Sequence, residues 1–222
     1  VSAVAAYLGK DGINKLLGPT ADYLGVSLKD FVQKRADNIG RIFFNAEKKL
    51  GNKINEKGQV SPKVLKSIID EGSYCDDALA VEYFGGVLAS SRTESGRDDR
   101  GARIGKILDN MTIYQIRTHY IIYTIIRKLF KDSKYLFNKN DRHKMEIFIP
   151  LSIYVNAMQF DNNEHEQLTP ILNNTLFGLN KDSLVETFYY GPIDYIQQNY
   201  VEAKEGGIVV APSALGAELY LW

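Results

Sequence analysis

The chain has 222 residues, of which 45% are hydrophobic and 24% charged, and its 27 basic side chains balance its 27 acidic ones. That length suits one domain or two small ones with a real core, and the composition is ordinary for a soluble globular protein. Zero net charge counts against a dedicated nucleic-acid binder, which carries a basic excess, and the lone Cys75 excludes an internal disulfide and points to a reducing, cytoplasmic setting.

Residues 1 to 25 hold short apolar pieces broken by Gly9, Gly12, Gly18 and Gly25. No secretory signal pattern is present. The start at Val1 and the apolar ending Leu219-Tyr220-Leu221-Trp222 suggest a piece of a longer chain. Val4, Ala5, Tyr7, Leu8, Ile13, Leu16 and Leu17 could lie on a membrane surface, with Lys10 and Lys15 at the headgroups. Docking on a helical bundle accounts for the same residues.

From Ser27 onward Leu28, Phe31, Val32, Ile39, Ile42, Phe43, Ala46 and Leu50 recur every three or four positions, which predicts an amphipathic helix of about 24 residues. Lys48, Lys49 and Gly51 close it. Ser61-Pro62 opens a second helix that ends at Gly72, with Val64, Leu65, Ile68 and Ile69 on one face. A third starts at Asp76 or Asp77, and its mid-helix pair Gly85-Gly86 predicts close approach by a neighbour. Ile104, Ile107, Leu108 and Met111 mark a fourth, with Ser95 or Asp98 as its cap. Thr112-Ile113-Tyr114-Gln115 is a capping box, and the helix that follows to about Phe130 is apolar almost all round, so it should be central. With Arg117, His119, Arg127 and Lys128 it is too polar to span a membrane.

After residues 131 to 144, a plausible linker, the character changes. Met145, Ile147 and Ile149 alternate like a strand, and Leu151 to Met158 and Thr169 to Leu176 read as helices. A turn at Gly178-Leu179-Asn180 then leads to a helix over 181 to 190 with Leu184, Val185, Phe188 and Tyr189 inward. Strand-like residues at 193 to 201, a turn at Lys204 to Gly207, the strand Ile208-Val209-Val210 and a short helix from Ser213 complete the pattern. The fold expected is mainly α: a helical bundle over 1 to 130, then a small winged-helix-like α+β module over 131 to 222.

A winged helix raises duplex binding, but the helix 181 to 190 offers only Lys181 against Asp182 and Glu186. The electrostatic contribution that dominates such affinity is missing. His119 reads as a hydrogen-bonded core residue. Glu164-His165-Glu166 has metal-compatible groups, but adjacent residues rarely converge on one ion, so neither a metal nor a cofactor is expected. Asp76-Asp77 and Asp98-Asp99 fit helix N-termini better than a catalytic pair. Cys75 beside those acids is no thiolate. No catalytic constellation emerges.

The run Ser90 to Arg103, SSRTESGRDDRGAR, is the most charged stretch. Projecting 100° per residue places Arg100 on the side of the Ile104 stripe, which predicts a structural ion pair with Asp76, Asp77 or Glu82. Arg97 and Arg103 lie off the stripe. Arg97, Arg100 and Arg103, and separately Tyr189, Tyr190 and Tyr195, are the candidate interaction residues.

Certain short motifs resemble a known family. They are Leu17-Gly18-Pro19-Thr20-Ala21-Asp22-Tyr23-Leu24-Gly25, Pro62-Lys63-Val64-Leu65, Asp76-Asp77-Ala78-Leu79, Tyr83-Phe84-Gly85-Gly86-Val87-Leu88-Ala89-Ser90 and Pro212-Ser213-Ala214-Leu215-Gly216-Ala217-Glu218-Leu219. Together they resemble the Abi-alpha (abortive infection alpha) domain family of bacteria over residues 17 to 222. The resemblance implies a mostly helical protein of phage defence and carries no catalytic residues across. The function expected is therefore non-enzymatic, through a protein partner or homo-oligomer. A winged-helix nucleic-acid regulator and a peripheral membrane effector are the alternatives.

Overall fold

The computed structural model describes residues 28–131 and 139–222. The proposed membrane-facing residues between Val4 and Leu17 lie outside them, as do residues 132 to 138 of the expected linker. Within the described residues the chain is mainly helical, with eleven α-helices and one small antiparallel sheet.

The helices begin and end where local chemistry dictates. α1 (Leu28–Leu50) carries Lys48 and Lys49 in its last turn, where cations meet the negative helix end, and passes into a 3-10 turn at Gly51–Asn55. Gly51 there has φ 51°, a left-handed conformation that glycine adopts without penalty. α2 (Pro62–Gly72) starts with Pro62 in its first turn. α3 (Ala78–Ser90) is capped by Asp77, whose carboxylate accepts from the Ala80 N–H at 2.9 Å. α4 (Arg100–Asn110) begins within the charged run. α5 (Ile113–Leu129) opens with the full capping box of Thr112 and Gln115.

The mid-helix glycines let α1 and α3 touch. A Cβ on Gly85 would stand 2.6 Å from the Asn45 Cβ and 3.0 Å from the Ile42 carbonyl. The backbones are closer than any side chain at 85 permits.

Beyond α6 (Lys139–His143), strand β1 (Ile147–Pro150) leads into α7 (Leu151–Met158), α8 (Asn162–Glu166) and α9 (Leu168–Lys181). β2 (Val185–Gly191), α10 (Ile193–Ile196), β3 (Gly207–Pro212) and α11 (Ala214–Leu221) complete the described chain. The sheet order is β1-β3-β2, antiparallel throughout, with Ile147 opposite Val210 and Tyr189 opposite Val209. β3 is central and buried at every position.

Two expectations for this half fail. The helix over 181 to 190 does not form: α9 runs through Gly178-Leu179-Asn180 to Lys181, the chain turns at Ser183 with φ 60°, and 185 to 191 is strand β2. Val185, Thr187, Phe188, Tyr189 and Tyr190 are β-branched or aromatic, and pairing with β3 satisfies their backbone. Gly178 is not a turn residue but a contact residue, since a Cβ there would collide with the Gln115 side chain on α5. The strand expected over 193 to 201 is instead α10 and turns. Ile196 packs with Ala203 and Val209 in a small cluster bordered by Phe148, Tyr189 and Tyr200.

α5 is the axis of the fold. One apolar cluster runs from Ile42 on α1 to Leu219 on α11, across both sides of residues 132 to 138, and Ile116, Ile122, Tyr123 and Ile126 lie within it. The buried polar side chains of α5 have partners. His119 is fully buried between α3 and α11: its Nδ1 lies 2.8 Å from the Tyr83 hydroxyl and its Nε2 3.0 Å from the Gly216 carbonyl. A carbonyl can only accept, so Nε2 carries the proton and Tyr83 donates to Nδ1. The Tyr123 hydroxyl donates to the Leu184 carbonyl at 2.7 Å and accepts from the Ser213 N–H at 3.0 Å. Thr118 and Tyr154 share a hydrogen bond of 2.8 Å, tying α5 to α7.

Two stability measurements check this packing. Gly85→Ala should destabilise by about 1–3 kcal/mol, because the overpacking exceeds the helix-propensity gain. Gly40→Ala, where nothing lies within 4 Å of the added Cβ, should stabilise by up to about 1 kcal/mol in urea denaturation. The pH dependence is the second. Burial lowers the His119 pKa from 6.5 to about 3, so on acidification the unfolded chain binds this proton before the folded one does. Stability should be fully present above pH 6.5 and fall toward pH 3, with this residue contributing a slope of up to about 1.4 kcal/mol per pH unit. His119→Gln should cost about 2 kcal/mol or more at neutral pH and remove that part of the slope.

Candidate functional site

The charged run at 90 to 103 does not fold as one unit. Arg92 turns back and donates to the carbonyls of Lys53 (3.0 Å), Ile54 (3.3 Å) and Glu56 (2.5 Å), closing the 3-10 turn after α1. Arg97 and Arg103 are exposed, as their position off the apolar stripe implies.

Arg100 corrects its predicted role. Its side chain is 70% exposed and forks onto Asp98, with Nη2 2.7 Å from Oδ2 and Nε 3.0 Å from Oδ1. Nη1 reaches Glu218 on α11 at 3.7 Å, and the guanidinium lies 5.7 Å from the centre of the Trp222 ring. Arg100 hydrogen bonds hold the Asp98 carboxyl below its ordinary range. None of the three expected partners is used: Asp76 accepts from Asn38 at 3.1 Å, Asp77 caps α3 and faces Arg117 at 3.6 Å, and Glu82 sits across α3 near Lys49. The expected stripe is buried at Ile104, Leu108 and Met111, with Gly101, Ala102 and Gly105 beside it, but Arg100 is the first residue of α4 and its side chain turns out to Asp98. A Cβ on Gly105 would meet Ser67 Oγ at 2.7 Å. The glycines carry the contact, and a count of large apolar residues misses them.

Arg100 borders a groove of about 500 Å3 formed by the start of α4, α6, the end of β3 and α11. Met145, Pro212, Ala214, Ala217, Leu221 and Trp222 supply its apolar surface, and Leu221 is 55% exposed. On the far side Arg142 grips Glu186 with Nε–Oε2 3.2 Å and Nη2–Oε1 3.3 Å, both side chains 15% exposed. This fork joins α6 to β2. Arg142 stands in the stretch read from sequence as a linker, and only the distant Glu186 reveals its role. The single hydroxyl in the lining, Ser213, donates to the Ser183 carbonyl at 2.6 Å and accepts from the Gly216 N–H at 2.9 Å. It is committed to capping α11 and is no nucleophile. The groove is thus an apolar slot bracketed by matched ion pairs, in the size range of binding pockets.

The tyrosines lie elsewhere. Tyr189 and Tyr195 meet edge to face at 5.8 Å, and Tyr189 accepts from Asn199 at 3.3 Å. The Tyr190 hydroxyl donates to Asn173 on α9. Tyr189 and Tyr190 are half-buried, and Tyr195 is 45% exposed. None of the three lines the Arg100 groove, so the two sets of candidate residues do not form one surface.

Elsewhere, burial pushes the Cys75 thiol up to about 11, with Asp77 and Asp76 adding to the shift, so it is protonated at neutral pH. Among the described residues there is no cluster of three groups suited to a metal ion, and no helix long and apolar enough to cross a membrane. Comparison with family models, curated proteins and solved structures gives no match for this chain.

The two arginines should separate cleanly in thermal unfolding. Arg142→Ala leaves Glu186 part-buried beside an empty space and should cost about 2 kcal/mol. Arg100→Ala removes only an exposed pair and should leave the unfolding midpoint unchanged.

Proposed function

We propose that this chain is a non-enzymatic bacterial protein of the abortive-infection type, acting in phage defence through protein–protein contact. The observation that carries the contact reading is the Arg100 groove. Its apolar lining includes the exposed Leu221, and its flanking charges are already paired, so a partner's apolar segment can enter without stripping water from a lone charge. The defence assignment rests on the motif resemblance at residues 17 to 25, 62 to 65, 76 to 79, 83 to 90 and 212 to 219.

A second reading has one observation in its favour. Strand β1, helices α7 and α9, then strands β2 and β3, with sheet order β1-β3-β2, follow one another in the order that a winged-helix reading expects. In that frame the reading helix is α9 and not residues 181 to 190. Its exposed residues include Asn173, Asn174, Phe177, Asn180 and Lys181, with one cation among them. Phosphate neutralisation needs several, so the winged-helix shape is better suited here to a protein contact than to duplex DNA.

Bacteria expressing the chain should show reduced plating of at least one phage in a panel, and Leu221→Asp should abolish the protection without shifting the unfolding midpoint. Unchanged plating with the wild-type chain, or full protection by Leu221→Asp, would contradict the proposal. Salt-sensitive duplex binding in a shift assay would favour the second reading instead.

A further inference from the structure

A second cleft, of about 280 Å3, opens between the end of α1, the outer face of α3, α5 and α11. Helical spacing assembles it: Leu79, Glu82 and Tyr83 stand at i, i+3 and i+4 on α3, and Tyr120 and Arg127 two turns apart on α5. Its walls are aromatic, with the Tyr120 and Tyr220 rings 6.0 Å apart and Trp222 beside them.

Its charged groups are Lys49, Arg127 and Glu82. Lys49 counts as exposed overall, but its ammonium reaches over α3 to within 2.7 Å of where a Cβ on Gly86 would stand. The same Cβ would collide with the Trp222 carbonyl oxygen, so glycine at 86 is what lets Trp222 pack on α3. Loss of water lowers the Lys49 pKa, against the raising pull of Glu82. Among the described residues no hydrogen bond or contact ion pair joins Lys49 or Arg127 to a carboxylate. The side chains of the cleft thus bring two cations against one carboxylate.

We propose that this cleft binds a small organic anion with a flat apolar body, an aromatic carboxylate or aryl phosphate. Lys49 and Arg127 take the negative group by charge-assisted hydrogen bonds, and Tyr120, Tyr220 and Trp222 take the ring. The volume lies just below the range of about 300–1,000 Å3 that suits drug-sized ligands, which fits one ring with one charged group. Glu82 works against such a ligand and keeps its affinity moderate.

Trp222 is the only tryptophan of the chain and lines both this cleft and the Arg100 groove, so its fluorescence reports a ligand in either and variants assign the site. Benzoate and phenyl phosphate should quench it saturably, while benzylamine at the same concentrations should not. Lys49→Met and Arg127→Gln should each weaken benzoate about tenfold. Glu82→Gln should tighten it, and Arg100→Gln should leave it unchanged. The tightening in Glu82→Gln tests the site even if a cation variant folds poorly. Absence of saturable benzoate quenching overturns the proposal, as does unaltered affinity in both Lys49→Met and Glu82→Gln, or a loss confined to Arg100→Gln.

Discussion

A single imidazole sits where the architecture is most exposed to failure. His119 lies in the interior with no access to water, and its two nitrogens reach opposite ways, to Tyr83 on α3 and to the Gly216 carbonyl on α11. A buried ring with one nitrogen unmatched costs about 1–3 kcal/mol, a large share of a domain's net stability. The partners must therefore arrive together. Gly216 has to be glycine, since a Cβ there would collide with the Leu184 carbonyl and the Tyr123 hydroxyl. That close approach also lets Tyr123 bond the Leu184 carbonyl and the Ser213 N–H. Helices α3 and α5, the turn before β2 and the start of α11 are thereby locked into one arrangement. The apolar cluster supplies most of the driving force, and these hydrogen bonds select which packing it takes.

Much of the helical framework is legible in the sequence because its signals are local. Pro62, Asp77 and the Thr112–Gln115 box mark helix starts through chemistry contained within four residues. The close contact at Gly85 is legible for a related reason: a glycine kept mid-helix against its propensity has to be explained by a neighbour. His119 as a satisfied core residue belongs here too.

What escaped is non-local. Leu184, Val185, Phe188 and Tyr189 fit helical spacing as well as a strand, and only β3, some twenty residues on, decides between them by offering a partner for the backbone. Gly178 carries an ordinary turn signal and is overruled by the Gln115 side chain on another helix. Arg142 is fixed by Glu186, forty-four positions away. Of the candidate residues, Arg100 borders the apolar groove together with Trp222. The same indole forms part of the wall of the Lys49 cleft, so α11 presents two concave surfaces of different chemistry on either side of one ring. The apolar groove suits a chain segment; the cationic cleft suits a small anion.

The nitrogen resonances of the His119 ring test the central claim most directly, because they report the tautomer and the charge in one spectrum. The ring should be neutral with the proton on Nε2, and its shifts should not change from about pH 7.5 to about pH 4.5 while the protein stays folded. A titration near the ordinary histidine midpoint, or a proton on Nδ1, would mean that the Tyr83–His119–Gly216 connection does not hold the fold together.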